Sequence, residues 1–182
     1  MSDSVLNIIA GYYRLTHEQV LGLVDRLDEP QITWRPNRTT LSIGFHVWHL
    51  ARWSDYLQEM ITGDGQIWEA EELARRWGLG GAGLGFAETG MGMSDDASAS
   101  LPLPEKDVLL DYARRAFSAA EQAVTAIGDD SFHRIVQDRH ESVGKEAEIG
   151  DIVLNWWKHD NRHLGMIECM LGNQGLHGTA TR

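Results

Sequence analysis

The sequence predicts an all-α fold, a four-helix bundle with long crossover connections. Apolar residues recur at helical spacing over four long segments, at about 2–28, 39–62, 105–127 and 151–172. The alternation of strands and helices that a parallel sheet requires does not appear between them. With 182 residues, the chain is expected to form a single domain spanning 1–182.

The first helix is expected to begin after an N-cap at Ser2 or Asp3 and to end before Pro30. His17 lies inside it, and a lone histidine on a helix is expected at a partly exposed surface position. Residues 32–36 are predicted to connect it to the second helix. The apolar residues predicted for its buried face are Val5, Ile8, Ile9, Tyr12, Leu15, Val20, Leu23, Val24 and Leu27.

The second helix is expected to begin at Thr39, Thr40 or Ser42 and to end at Gly63. It is followed by a short helix over about 67–77. Its core-facing stripe contains two histidines, and the residues in the stripe are His46, His49, Trp53, Tyr56 and Met60.

A glycine-rich stretch at about 78–100 reads as a long loop, either a lid over a pocket or a disordered segment. The third helix follows, with an alanine-rich face suited to close packing. Residues 131–148 are polar and are predicted to be irregular. They contain His133 and His140, which are expected on the surface.

The fourth helix carries two histidines, four residues apart, on a face that is otherwise apolar. The residues on this face are Ile152, Trp156, His159, His163, Ile167 and Met170. Buried imidazoles need partners, which can be ordinary hydrogen bonds or a metal ion. Because i and i+4 side chains are neighbours, both imidazoles can reach one ion. Cys169 lies off this face and is expected to be a small buried hydrophobe.

Charge and composition exclude several classes of partner. The formal net charge of −11 argues against nucleic acid or an anionic membrane surface. A single cysteine precludes an intramolecular disulfide, as is usual in a reducing compartment. The N-terminal residues lack the pattern of a signal peptide, and the sequence lacks a membrane-spanning apolar run. A cytoplasmic location is therefore expected.

A third histidine from the second helix would complete a three-imidazole site, which suits zinc, nickel, iron or cobalt. Such a site leaves a coordination position for water or substrate, and its ion can lower the pKa of water or a thiol. Acceptors for the outer imidazole nitrogens are expected nearby. Asp55, Asp160 and Asn161 are close in sequence but are not assigned.

The segments SIGFHVWHLARWSDYL (42–57) and HDNRHLGMIECMLG (159–172) resemble the DinB/YfiT-like family of four-helix metal-binding proteins. The resemblance implies a divalent transition metal, zinc or nickel before iron or cobalt, held by His49, His159 and His163. His46 lies one turn before His49. It is expected to line the pocket, to shuttle protons or to take the place of His49.

Known relatives in this family include transferases that use low-molecular-weight thiols such as bacillithiol or mycothiol, and a thiol-dependent maleylpyruvate isomerase. The resemblance thus implies a small-molecule substrate, and an S-transferase or hydrolase acting on a small electrophile through an activated thiol or water. The alternatives are a non-catalytic, stress-related metal-binding module and a bundle without metal. A homodimer is the default expectation.

Aromatic residues beside the histidines have two interpretations. Trp53, Tyr56 and Trp156 are expected either to wall the pocket or to pack as ordinary core. Arg52 and Arg162 are candidates for contacting the carboxylate of a thiol substrate.

Overall fold

The computed structural model describes residues 5–128, 131–137 and 146–180, and this part of the chain is mostly helical. The predicted N-caps Ser2 and Asp3 lie outside the described residues, as does His140. The elements in chain order are α1 (Val5–Asp25), α2 (Glu29–Thr33), α3 (Ile43–Thr62), α4 (Ile67–Ala70), α5 (Leu73–Arg76), α6 (Asp95–Ala99), α7 (Lys106–Thr125), β1 (Ile135–Gln137), β2 (Glu146–Glu148) and α8 (Ile149–Asn173).

Four long helices surround the interior. α3 packs against α7 and α8, and α1 packs against the same two helices, so each long helix contacts two others. Their order and approximate bounds agree with the four periodic segments of the sequence. None of the helices in the described part of the chain combines the length and apolar character needed to cross a bilayer.

The ends of α3 follow from specific caps. The Ser42 hydroxyl accepts a hydrogen bond of 3.1 Å from the Phe45 N–H, as an N-cap should. Gly63 ends the helix at a φ of 82°, which favours glycine, and its N–H donates to the Glu59 carbonyl at 2.7 Å. These two caps set the bounds of α3.

Two predicted connections contain regular structure. A helix, α2, begins before the predicted connection at 32–36 and extends into it, because Asp28 and Gln31 make a capping box. The predicted helix over 67–77 is divided in two at Glu72, which has a φ of 51°. Within the polar stretch 131–148, β1 and β2 pair as antiparallel strands, so the description as irregular was wrong there.

The predicted buried face of the first helix is confirmed for Ile9, Val20, Leu23, Val24 and Leu27 and was wrong for three other residues. Ile8, Tyr12 and Leu15 are about half exposed, whereas Tyr13 and His17 are almost fully buried. The prediction of a surface position for His17 was therefore wrong. The cause lies in tertiary packing, because α1 turns its Tyr13–His17 side towards both α7 and α8.

α3 is buried on all sides, since every residue from Ile43 to Gln58 is buried. Its outer side is covered by the glycine-rich segment, which is neither a free lid nor an extended loop. The Arg52 guanidinium donates to the carbonyls of Ala87 (2.9 Å) and Glu88 (3.0 Å). The segment is thus held as a fixed cover over the helix that carries His46 and His49.

Candidate metal centre

α3 and α8 bring three histidines to one point. His159 and His163 are one turn apart on α8, and His49 faces them from α3. One ring nitrogen from each lies within 4.8 Å of the others. The Nε2 atoms of His49 and His159 are 3.2 Å apart. The structure therefore brings together the three residues that the sequence indicated as ligands.

The outer nitrogen of each imidazole lies close to an acceptor. Nδ1 of His49 is 2.5 Å from the Thr89 carbonyl. Nδ1 of His159 is 3.3 Å from Asp160 Oδ1, and Nδ1 of His163 is 2.9 Å from His46 Nδ1. We assign the proton of each ring to Nδ1, which places a lone pair on each Nε2; on His49 this lone pair accepts from the Trp53 indole N–H at 3.1 Å, a hydrogen bond that an ion would replace. This pattern of outer acceptors is the one that orients histidines in metal sites.

Burial keeps the imidazoles of His46, His49 and His163 neutral. It lowers the pKa of His49 to about 3, with a further contribution from His159, and lowers the pKa of His46 to about 4. Burial, followed by the neighbouring histidines, also holds the pKa of His163 well below its usual value. A neutral imidazole is the form that binds a metal, so at neutral pH protons do not compete for these nitrogens.

The donor set fits a divalent transition metal. Two nitrogens bound to one tetrahedral ion at about 2.0–2.1 Å lie roughly 3.3 Å apart, close to the separation of the His49 and His159 Nε2 atoms. The wider limit of 4.8 Å means that small ring rotations would have to draw the donors together. Three neutral imidazoles leave room for a further ligand, and the His159 side chain, 27% exposed, reaches solvent.

His46 lies outside the group of three. It contacts His163 through Nδ1 and is buried, so in this structure it supports His163 rather than replacing His49. It also lines a cavity of about 430 Å³, together with apolar side chains such as Leu41 and Met166. His49, His159 and His163 do not line this cavity, so the expectation that His46 lines the pocket of the metal site stays a prediction.

The aromatic residues combine both of their predicted roles. Trp53, Tyr56 and Trp156 are buried in a core cluster that also contains Tyr13. Trp53 in addition reaches the histidines, because its indole N–H donates to His49 Nε2 at 3.1 Å. Trp53 therefore both packs in the core and forms one wall of the candidate site.

Arg52 is not available to bind the carboxylate of a substrate. Its five N–H groups make hydrogen bonds to Glu88 O, Asp55, Tyr112, Gln66 and Ala87 O. Since a guanidinium has five donors, this residue has no remaining donor for a substrate carboxylate. Arg162 is exposed on α8.

Two of the three acceptors considered for the outer nitrogens are used elsewhere. Asp55 accepts from the backbone N–H groups of Ile67 and Trp68 at 3.0 and 2.9 Å. Asn161 is exposed and donates to the Trp157 carbonyl at 2.8 Å. Asp160 is the one of the three that contacts a histidine of the group.

Cys169 is exposed on α8, so its interpretation as a buried hydrophobe was wrong. It lines the cavity next to His46. His133 is exposed, as predicted, and pairs with Glu148 at 2.6 Å.

Sequence reasoning missed two supports of the site. Thr89 lies in the glycine-rich segment, where apolar periodicity gives no signal. His17 did have a signal, because Tyr13, His17, Val20 and Val24 follow one another at steps of four, three and four. That stripe is buried, and the side chain of His17 is 1% exposed. Its Nδ1 is 2.7 Å from Glu121, and its Nε2 is 3.5 Å from Asp160.

Gly90 lets the covering segment approach the histidines. It has a φ of +89°, and an added Cβ would lie 2.8 Å from Trp48, 3.0 Å from Phe45 and 3.3 Å from His49 Nδ1. We expect Gly90→Ala to lower the free energy of unfolding by about 1–3 kcal/mol more than Gly92→Ala does. Gly92 is the matched control, because its φ is +82° and the space around it is open. Urea denaturation measures the free energy of unfolding of both variants. Equal losses would contradict the close approach of the covering segment to α3 at Gly90.

The pKa values predict acid sensitivity of the protein without metal. Histidines with a folded pKa below the unfolded value of 6.5 bind more protons when unfolded, so stability falls as pH drops below about 7. From pH 7 to 6, each of His46, His49 and His163 should remove about 0.7 kcal/mol. Burial alone would lower the pKa of His17, but Asp160 and Glu121 raise it, so this residue acts in the opposite direction.

The free energy of unfolding should therefore fall by about 1–2 kcal/mol between pH 7 and pH 6. Urea denaturation in the presence of a chelator, at the two pH values, gives this difference. A His46→Gln variant should show a smaller fall because one of the three groups is lost. Equal stability of the wild-type protein at both pH values would show that these imidazoles are not held neutral by burial.

Comparison with known proteins places this arrangement in a family. A profile of the DinB superfamily matches residues 12–167, which include all three histidines. The crystal structure of a conserved protein from Enterococcus faecalis superposes with a TM-score of 0.72 at 12% identity, over 94% of this chain and 99% of that one. At this identity the likeness shows a shared fold. No curated protein sequence gives a significant match.

Proposed function

The chain belongs to the DinB superfamily, and from this membership we propose that it binds one divalent transition metal ion through His49, His159 and His163 on a four-helix bundle. The observation that carries the proposal is that each of the three imidazoles has a separate acceptor for its outer nitrogen. One ring nitrogen from each of the three also lies within 4.8 Å of the others, as a shared ion would require. Zinc and nickel suit the all-imidazole donor set best, and iron and cobalt are the alternatives.

We further propose that the protein is an enzyme, a thiol-dependent S-transferase or a hydrolase that acts on a small electrophile. When bound, a divalent ion supplies a Lewis acid that lowers the pKa of a thiol or water towards neutrality. The residues of the chain provide the remaining functions. Thr89, Asp160 and His46 hold the imidazole tautomers, and Trp53 brings an indole N–H to the same point.

The cavity next to His46 offers room for a small molecule. Its volume of about 430 Å³ is within the usual range for small-molecule sites, and much of its lining is apolar. Because Arg52 uses all its donors within the fold, it offers no grip for an anionic substrate. The partly apolar lining of the cavity, which includes Leu41, Met166 and Met170, favours a substrate with an apolar body.

A non-catalytic metal-binding module is the second candidate. The observation that favours it is the deep burial of His49, which is 8% exposed beneath the covering segment. In that case the metal would stabilise the fold without turning over a substrate.

One experiment separates the two candidates. Protein purified without an affinity tag is analysed for metal, loaded with zinc or nickel, and incubated with chromogenic electrophiles in the presence or absence of low-molecular-weight thiols. Turnover that requires the metal and is lost in His163→Ala, but kept in His133→Ala, supports the enzyme. Thiol dependence identifies a transferase, and its absence a hydrolase. Tight metal binding without turnover supports the second candidate, and a protein that holds almost no metal after loading overturns both.

A further inference from the structure

A row of buried polar side chains extends behind His159, away from the group of three histidines. Asp160 on α8 is 3% exposed, and its Oδ1 is 3.3 Å from His159 Nδ1. Its other oxygen, Oδ2, is 3.5 Å from Nε2 of His17 on α1, an ion-pair distance without a hydrogen bond, and this buried Nε2 has no hydrogen-bond partner among the described residues. Nδ1 of His17 is in turn 2.7 Å from Glu121 on α7, which is 21% exposed. The row therefore links three helices to one imidazole of the candidate centre.

Packing requirements alone do not explain this row. His17 stacks on Phe117 with ring centroids 4.1 Å apart and lies edge-on to Tyr13, in surroundings that would suit an apolar side chain. Burying a carboxylate and imidazoles costs desolvation energy, and apolar residues of similar volume are often as stabilising or more so. A stability argument would thus favour an apolar residue at position 17.

The helix does not impose the contact between His159 and Asp160. Neighbouring residues on a helix point about 100° apart, so their side chains do not face each other by default. The second oxygen of Asp160 is on the side of α1, where it lies 3.5 Å from His17 Nε2. Its two oxygens are thereby fixed between two imidazoles from different helices.

We propose that Asp160, held in place by His17, is a positioning residue that aims His159 at the metal ion. The inference rests on the proposed metal centre. By accepting from Nδ1, the carboxylate fixes the tautomer of His159 with its lone pair on Nε2, the atom that lies 3.2 Å from His49 Nε2. An anion at this place also offsets part of the charge of a divalent ion.

The electrostatics agree with this geometry. Burial alone would raise the pKa of Asp160, but the neighbouring imidazoles of His159 and His17 bring it below its usual value. The carboxylate is therefore ionised at neutral pH and acts as an acceptor. The Glu121 carboxylate contacts the other ring nitrogen of His17, Nδ1, at 2.7 Å.

The test measures metal affinity rather than activity. Zinc dissociation constants are determined by chelator competition for the wild type, Asp160→Asn, His17→Leu and His17→Gln. We expect roughly 10- to 100-fold weaker binding for Asp160→Asn and His17→Leu, the range typical of groups that orient metal ligands. His17→Gln should retain most of the affinity, because its amide N–H can still donate to Asp160.

Two controls separate positioning from general damage to the fold. Val24→Ala removes buried apolar volume from α1 two turns after His17, so it should lower stability and leave zinc affinity unchanged. The visible absorption of the cobalt-substituted protein should change in band shape for His17→Leu and remain unchanged for Val24→Ala. A purely structural role for His17 would not move this spectrum.

The outcomes are distinct. If the wild type binds zinc tightly and both Asp160→Asn and His17→Leu bind within twofold of it, the positioning role is overturned while the metal centre stands. If the wild type does not bind zinc, the metal centre itself fails and the positioning role fails with it. The expected losses, with rescue by His17→Gln, support the inference.

Discussion

Replacing His163 with alanine is expected to weaken the binding of a divalent transition metal by roughly 10²- to 10³-fold. A zinc site of about 10–16 kcal/mol divided among four ligands corresponds to roughly 3–4 kcal/mol for each. His163 lies between the other two donors and His46, with ring centroids 4.6 Å from His49 and 4.5 Å from His159. Its loss removes one donor directly.

Chelator competition with zinc provides the measurement for this prediction. The matched control is His133→Ala, which removes an exposed histidine paired with Glu148 and should leave the affinity unchanged. His49→Ala and His159→Ala should behave like His163→Ala, because the three donors act as one set. Binding by His163→Ala within twofold of the wild type would show that this imidazole is not a ligand.

Replacing Arg52 with methionine is expected to lower the free energy of unfolding by about 3–5 kcal/mol. The change leaves the buried Asp55 without its ion-pair partner. It also removes the donors to the carbonyls of Ala87 and Glu88, which have φ values of 45° and 53°. Left-handed backbone costs roughly 1–2 kcal/mol at each non-glycine residue, and these bonds help to hold it.

Arg38→Met is the matched control for this second variant. Arg38 pairs with Asp96 at 3.5 Å on the surface, where the two side chains are 84% and 65% exposed. Its replacement should change the stability by less than about 0.5 kcal/mol, as is usual for exposed pairs. Urea denaturation compares the two, and similar small losses would show that Arg52 does not hold the covering segment.

The Arg52 variant connects the fold to the candidate centre. Thr89, next to the two carbonyls that Arg52 holds, accepts from His49 Nδ1. Loosening the segment should therefore weaken metal binding as well as the fold. Zinc affinity measured on folded Arg52→Met protein checks this expectation.

Much of the site was predictable because helical periodicity carries it. The i, i+4 spacing of His159 and His163 fixes their common face. His46 and His49 both lie in a similar stripe on α3, and the family resemblance, not the spacing, singled out His49. The structure brings these three residues together from α3 and α8, although 86 residues of the chain lie between Thr62, where α3 ends, and Ile149, where α8 begins. Helical periodicity identifies the face of each helix whatever the length of the chain between the two helices.

The rest depends on contacts that periodicity does not describe. The burial of Arg52 follows from a segment without regular apolar spacing, which folds over the polar side of α3. The burial of His17 and the exposure of Ile8 follow from how α1 turns between its two neighbours, so the predicted phase failed there. The single domain, the homodimer and the cytoplasmic location stay predictions.

Anomalous diffraction from crystals of the zinc-loaded protein, recorded on both sides of the zinc edge, tests the central claim most directly. We predict one strong peak about 2.0–2.1 Å from Nε2 of His49, His159 and His163, with a further position occupied by a small ligand. A zinc peak held by surface carboxylates, or by His46 in place of one of the three, would contradict it.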